Sequence, residues 1–270
     1  MIWFSRLFDF YINSSIHVSL AVLSLVLLSC EKFELSPTPQ FLGFVFFGSI
    51  SGYNFVKYAG VAQLHHQSLT QSLRVIQVFS LISFGFLVYC IFQLPLDFFW
   101  RCLPLGLLTL LYAVPFLPRQ RNLRSVPFIK VFIIAAVWAG VSVYLPLAFA
   151  DKSWSISGLL QLVVHFMLTL VLIVPFELRD LRYDPAHLKT LPQVLGVKKT
   201  KTFGYGMVVG FLLFNALAPG NIALGITYAL MAFLSGLAIS GAATDQSAYY
   251  SSFWVEGIPV AGLLAYLVLS

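Results

Sequence analysis

Long, uninterrupted apolar runs are the feature that most constrains the fold of this chain. Nine such segments follow one another, and each is close to the ~20 residues that a helix needs to cross a hydrocarbon core of ~30 Å. They are roughly residues 13–30, 40–58, 73–94, 99–117, 126–148, 156–178, 203–219, 221–241 and 251–269. Because the runs are continuous rather than alternating, they predict membrane-spanning helices and not the strands of a barrel.

The composition excludes a soluble globular protein. The chain is 59% hydrophobic and only 10% charged, with a mean hydropathy of +0.89, whereas a soluble domain carries about 25% charged residues. The sequence therefore predicts one integral-membrane domain over residues 1–270, an all-α bundle of nine transmembrane helices. The net charge of +6 does not indicate nucleic-acid binding, because the chain has no soluble basic surface to carry it.

The basic residues predict the topology. With nine crossings, 3 of the 16 lysines and arginines fall on one side, namely Lys32, Arg101 and Lys152, and all others fall on the opposite side. Cytoplasmic loops collect Lys and Arg. The amino terminus is therefore predicted to be cytoplasmic and the carboxy terminus outside, with the inner membrane of a bacterium as the expected location.

The sixth apolar run ends in an acidic cluster. Acids at membrane depth are costly and are usually kept for a task. If the helix continues, Glu177, Asp180 and Asp184 fall within an arc of about 60°. Arg179 and Arg182 point to the opposite side, so these arginines are not expected to neutralise the acids. Such a face suits Mg²⁺, which takes one or two protein carboxylates. The alternative is a purely structural role, in which an acidic helix end meets a basic loop.

A second pattern follows this cluster. Lys189–Pro192 reads K-T-L-P, and Gly196 comes four residues later. The combination D-x-x-x-D followed by K-T-L-P-x-x-x-G resembles the second aspartate-rich motif of the UbiA-type intramembrane prenyltransferases. Nine helices, a cytoplasmic amino terminus and polar inner loops after the second and sixth helices are also similar to that superfamily, so the resemblance covers essentially the whole chain.

The resemblance implies a reaction and its partners. A polyprenyl diphosphate would bind through Mg²⁺, the diphosphate would leave, and a lipid-soluble acceptor, such as an aromatic quinone precursor, would capture the allylic cation. Asp180 and Asp184 are implied as the catalytic and Mg²⁺-binding residues. Membrane lipid is a further expected partner. The apolar bundle would shield such a cation from water.

Several inner-face side chains are candidates for binding the diphosphate. They are Asn54, Lys57, Arg119, Arg124, Lys130 and Lys189. Lys130 is the best of the later cations, because residues 128–138 are otherwise apolar and a buried cation needs a partner. Positive-inside anchoring explains the arginines without a ligand. Glu256, near the inner end of the ninth segment, either faces the cavity or, in the favoured interpretation, is an ordinary helix-end residue.

The family's first motif, N-x-x-x-D-x-x-x-D, is largely absent. Asn54 matches the asparagine, but Tyr58 and Ala62 stand at the aspartate positions, and residues 35–96 contain no acid. Half of the expected metal site is therefore missing. Lys57 has three interpretations: it contacts the diphosphate, it pairs with one of the two aspartates, or it extends to the lipid headgroups.

Two other functions are alternatives to prenyl transfer. A UbiA-like protein that has lost metal catalysis would bind a lipid or prenyl ligand, or support a complex, and the missing first motif favours this interpretation. A small transporter would need polar residues near mid-membrane. Gln161 and His165 in the sixth segment are the residues that suggest it.

The predicted topology can be tested with a reporter enzyme that is active only outside the cytoplasm. A fusion after Ser270 should be active, whereas a fusion after Lys199 should be inactive, because the positive-inside distribution places these two points on opposite sides of the membrane. A fluorescent reporter that matures only in the cytoplasm should give the reciprocal result. Equal activity of both enzyme fusions would contradict the topology.

Overall fold

The computed structural model describes residues 2–59, 71–115, 122–123, 126, 128–185, 188–217 and 220–270. All regular structure in these residues is helical, which confirms the predicted all-α class. The helices are α1 (Ile2–Asn13), α2 (Ile16–Lys32), α3 (Pro39–Ala59), α4 (Gln71–Phe92), α5 (Leu96–Ala113), α6 (Ile129–Ala139), the π-helix π1 (Gly140–Tyr144), α7 (Leu145–Phe149), α8 (Ile156–Asp180), α9 (Leu191–Leu217), α10 (Ile222–Gly241), the π-helix π2 (Tyr250–Val255) and α11 (Ile258–Leu269).

Within the described residues, each predicted apolar segment overlaps a helix or a run of adjacent helices. The helix α1 has no counterpart among the nine predicted segments. Within the described residues, six helical units are long and apolar enough to cross a membrane, and the number becomes seven if α1 and α2, which are bent by 56°, are taken as one span. The helix α3 is not among the six, and it carries the polar side chains of Asn54 and Lys57 near its end. The count of nine crossings stays a prediction.

The helix α9 begins earlier than the sequence predicts. The seventh segment was expected from residue 203, but α9 starts at Leu191 and includes the basic run of Lys198–Lys201. Gly196 interrupts it with φ +78°, a left-handed conformation that a glycine adopts without steric cost. The Thr200 hydroxyl donates to the Gly196 carbonyl at 2.9 Å. The kink at Gly196 sets the first residues of α9, which follow the acidic cluster in sequence, at an angle to the rest of this helix.

The helices α2 and α8 form the centre of the bundle. Leu25, Leu28 and Leu168 are fully buried and belong to one core cluster with side chains of α3, α10 and α11. By contrast, only 17% of the α4 span and 11% of the α5 span are buried. The outer faces of α4 and α5 are rich in exposed phenylalanine and leucine, as expected for helices that face lipid tails.

A buried polar network joins α2, π1, α8 and α10. The His165 ring is hydrogen-bonded through Nδ1 to Ser142 Oγ at 2.7 Å and through Nε2 to Tyr228 Oη at 2.9 Å. The Gln161 amide also bonds to Tyr228, and Lys32 Nζ donates to Gln161 Oε1 at 2.7 Å. Because an unpaired polar group is costly in an apolar interior, these mutual bonds fix the relative positions of the four elements.

Tyr228→Phe should lower the melting temperature of the detergent-purified protein. The Tyr228 hydroxyl is the shared partner of Gln161 and His165, which also bond to each other, and each lost hydrogen bond costs about 0.5–1.5 kcal/mol. Tyr205→Phe is the matched control, because Tyr205 is 41% exposed, and it should melt like the wild type. If the two variants melt alike, the network does not stabilise the bundle.

Candidate functional site

The end of the bundle that carries Lys57, Lys130 and Asp180 is predicted to face the cytoplasm and is called the inner end. The helix α8 stops there at Asp180, so the prediction of one continuous helix through Asp184 is wrong. Asp184 precedes Pro185, and a proline drives the residue before it out of the helical conformation. The Asp184 N–H still donates to the Asp180 carbonyl at 2.8 Å, which keeps the two aspartates one turn apart.

A buried ion pair connects α6 to the end of α8. Lys130 Nζ lies 2.8 Å from Glu177 Oε1 and 3.7 Å from Asp184 Oδ2. The Glu177 side chain is 2% exposed and that of Lys130 is 18% exposed. Removing charges from water is costly, and such a pair persists only when the charges contact each other directly. The prediction that Lys130 needs a partner is confirmed, and its closest partner is Glu177.

Asp180 is paired with a different cation. Arg179 Nε donates to Asp180 Oδ1 at 2.8 Å, and the guanidinium carbon lies 5.1 Å from the centre of the Phe176 ring. The prediction that the arginines leave the acids un-neutralised is therefore wrong for Arg179. Adjacent side chains on a helix diverge by about 100°, but the long arginine side chain at the helix end turns back to reach its neighbour. Asp180 and Asp184 thus face separate cations.

A cavity of about 230 Å³ lies beside the Lys130 ion pair. Its lining combines charged, polar and apolar side chains: Asn122, Val126, Phe128, Lys130, Val131, Glu177, Asp184, Leu188, Thr190 and Leu191. Thr190 Oγ1 and Asp184 Oδ2 are buried and have no hydrogen-bond partner in the part of the chain that the structure describes. Buried polar atoms are nearly always hydrogen-bonded. The cavity therefore presents unused hydrogen-bonding capacity to a ligand.

The loop between α8 and α9 is held in shape by Gln193. Its amide nitrogen donates to the carbonyls of Asp184 and Pro185 at 3.0 and 3.2 Å, and its amide oxygen accepts the Thr190 N–H at 3.0 Å. These bonds position Asp184 and Thr190 at the cavity wall. Lys189, with φ +47°, is exposed on the same loop and is not among the side chains that line the cavity.

Asn54 lies in a polar network of its own. Its side-chain oxygen accepts from Ser15 Oγ at 2.7 Å, and its nitrogen donates to the Ser14 carbonyl at 3.1 Å and to Ser80 Oγ at 2.7 Å. These bonds tie α3 to α4 and to the turn between α1 and α2. The role of Asn54 in binding a diphosphate stays a prediction, and its structural role is to join three helices at this point.

Lys57 belongs to a second charged cluster at the inner end. Its ammonium donates to the carbonyl of Asn13 at 3.2 Å and lies 3.4 Å from Asn13 Oδ1, a partner that none of the three interpretations named. Glu256, which directly follows π2, interacts electrostatically with both Lys57 and Arg179. The interpretation of Glu256 as an ordinary helix-end residue overlooked one signal, namely that it is the only acid in its apolar segment.

The structure thus brings some of the predicted site residues together and separates others. Lys130 and Asp184 meet at the cavity, joined by Glu177. Lys57 is bonded to Asn13 instead. The predicted diphosphate ligands Arg119 and Arg124 lie outside the described residues, as do Ala62 and the side chain of Tyr58.

The side chains in this arrangement do not fit a magnesium ion. Mg²⁺ needs oxygen ligands at about 2.0–2.1 Å. Glu177 and Asp184 instead hold the Lys130 ammonium, and Asp180 holds Arg179. Over the described ranges, no three His, Cys, Asp or Glu side chains are grouped as metal ligands would be. Asp180 and Asp184 as Mg²⁺ ligands stay a prediction.

The features above define a helical membrane protein with a charged, polar site at one end. Its particular fold is that of the UbiA homologues, which confirms the predicted resemblance at the level of the fold. A UbiA homologue from Archaeoglobus fulgidus bound to GPP and Mg²⁺ superposes with a TM-score of 0.65 at 15% identity, covering 96% of this chain and 98% of the other. An apo UbiA homologue from Aeropyrum pernix K1 gives 0.65 at 14% identity, covering 95% and 97%.

A third similar structure is that of digeranylgeranylglyceryl phosphate synthase, with a TM-score of 0.56 at 17% identity over 98% of both chains. The sequence matches no protein-family model and no curated protein. Identities this low establish a shared architecture, and the chemistry of this chain has to be argued from its own residues.

Glu177→Gln should lower the melting temperature far more than Glu34→Gln. The substitution leaves the buried Lys130 charge without its 2.8 Å partner, and breaking a buried ion pair from one side costs about 3–5 kcal/mol. Glu34 is exposed, so its substitution controls for the loss of a carboxylate. The double variant Glu177→Gln/Lys130→Met should recover part of the loss, because both charges are then removed. Additive losses in the double variant would contradict the pairing.

Proposed function

We propose that this protein binds a prenyl diphosphate at the inner end of the bundle and transfers the prenyl group to a hydrophobic acceptor within the membrane. The observation that carries the proposal is the polar cavity beside Lys130, in a fold shared with a UbiA homologue bound to GPP and with a prenyl-lipid synthase. An apolar bundle with cations at one end suits a ligand that has an apolar chain and an anionic head.

The chemistry follows from the charges at this end. The bond between the allylic carbon and the diphosphate oxygen breaks, and its electron pair leaves with the diphosphate. Lys130, which lines the cavity, stabilises the developing negative charge. The acceptor supplies an electron pair to the allylic carbon and then loses a proton. Water is excluded by the apolar helices, which protects the cation until the acceptor captures it.

An aromatic pair within the bundle, Tyr53 and Trp138, is proposed to stabilise the allylic cation. Trp138 Nε1 donates to the Tyr53 hydroxyl, and the two rings meet edge to face with centres 6.4 Å apart. Aromatic faces attract cations by about 0.5–2 kcal/mol. The acceptor that fits such a site is lipid-soluble, and an aromatic quinone precursor is the class that we propose.

A second candidate function is binding without catalysis. It is favoured by two observations: the carboxylates of the acidic cluster are already paired with Lys130 and Arg179, and residues 35–96 contain no acid. Such a protein would hold a prenyl or lipid ligand and leave it unchanged. The transporter alternative gains no support from Gln161 and His165, because both are bonded within the buried network.

Geranyl thiolodiphosphate, which resists loss of its diphosphate, should raise the melting temperature of the purified protein, since a ligand that binds only the folded state stabilises it. In EDTA, Lys130→Met should weaken this binding by about tenfold or more, the effect of losing one charged contact of about 1.5–3 kcal/mol. Lys198→Met, which removes an exposed cation from α9, should bind like the wild type. The melting temperature of each variant without ligand corrects for changes in stability.

Labelled geranyl diphosphate then separates the two candidate functions. Release of diphosphate together with a prenylated product from a panel of hydrophobic phenols would support transfer. Binding without release would favour the non-catalytic protein. If geranyl thiolodiphosphate causes no shift with or without Mg²⁺, prenyl transfer and the binding of a prenyl diphosphate are both contradicted.

A further inference from the structure

The Lys130 ammonium occupies the position that a divalent cation would take between the carboxylates of the acidic cluster. It is 2.8 Å from Glu177 and 3.7 Å from Asp184, and the Glu177 side chain is almost fully buried. Lys130 enters from the first turn of α6, whereas both acids come from the end of α8 and the loop after it. The pair is therefore a contact between separate elements and is fixed by their packing.

A metal ion and this ammonium exclude each other. Mg²⁺ must contact carboxylate oxygens directly at about 2.0–2.1 Å, and it would meet the Lys130 charge at a few ångströms in a poorly solvated site, where like charges repel strongly. The remaining carboxylate of the cluster, Asp180, is held by Arg179 at 2.8 Å. The helix α3 offers no replacement carboxylate, because residues 35–96 contain no acid, and it carries Lys57 instead.

The ammonium also retains capacity for a ligand. A lysine has three N–H donors, and the contacts of Lys130 with Glu177 and Asp184 use at most two of them. Lys130 lines the cavity together with Thr190, whose buried hydroxyl has no partner among the described residues. A phosphate oxygen in this cavity would meet an ammonium and a hydroxyl, both of which can donate hydrogen bonds to it.

We infer that Lys130 is a built-in replacement for a divalent metal: its single positive charge pairs with Glu177 and partly offsets that of Asp184 in the place of Mg²⁺, and the site takes the phosphate end of its ligand without a metal ion. The replacement of the metal is argued from the side chains alone and does not depend on the proposed function. The statement about the ligand rests on the proposed function.

The test of the metal is made without any prenyl ligand. The melting temperature of the wild type should be the same in EDTA and in millimolar MgCl₂ or MnCl₂. Lys130→Met should melt lower in EDTA, and Mg²⁺ or Mn²⁺ should raise its melting temperature by several degrees, because the two carboxylates then become free to bind a metal. Arg182→Met, which removes an exposed cation from the segment between Asp180 and Asp184, should respond like the wild type.

Two results would overturn the inference. One is a saturable rise in the melting temperature of the wild type with Mg²⁺, and the other is a Lys130→Met protein that folds but does not respond to either metal. If Lys130→Met does not fold, paramagnetic resonance of Mn²⁺ added to the wild type decides the matter: no bound Mn²⁺ is expected, and a bound ion would refute the replacement.

The binding of geranyl thiolodiphosphate to the wild type tests the ligand. Equal affinity in EDTA and in MgCl₂ is expected, and binding only in MgCl₂ would overturn the inference. If the wild type binds no prenyl diphosphate in either buffer, the proposed function and the statement about the ligand fail, while the metal titrations of the wild type and Lys130→Met still decide the role of Lys130.

Discussion

The ion pair between Lys130 and Glu177 is the interaction on which the inner end of this bundle depends. An ammonium and a carboxylate that are both largely shielded from water are stable only in direct contact, so the pair fixes the first turn of α6 against the last turn of α8. Asp184 reaches the same cation from the following loop. Gln193 holds that loop by its backbone, and the cavity wall is thereby assembled from three segments.

The two halves of the bundle solve the problem of polar groups in an apolar interior in different ways. The inner end uses formal charges, arranged as Lys130 with Glu177 and Arg179 with Asp180. The outer half uses hydrogen bonds centred on His165, with Lys32 as the cation at its edge. A site that binds an anion needs charge, whereas a region that only joins helices needs matched donors and acceptors. This division agrees with a function at the inner end.

Hydropathy located the apolar core of most helices, because each must cover its backbone with apolar side chains in lipid, but it missed α1 and the early start of α9. The contacts at the site were harder to predict. That Lys130 needs a partner follows from its apolar surroundings, but the identity of Glu177 depends on how α6 and α8 are rotated against each other, which no local pattern specifies. The end of α8 before Asp184 could have been predicted from Pro185. The turn of Arg179 back to Asp180 could not, since it depends on a flexible side chain.

The network around His165 also has a consequence for the membrane itself. Charged groups and a cavity at one end of a bundle give water and small ions a path part of the way through the bilayer. The outer half interrupts this path, because Gln161, His165 and Tyr228 bond to one another, and fully buried leucines belong to the packed core. A packed layer with internal hydrogen bonds therefore separates the charged inner end from the opposite side of the bundle.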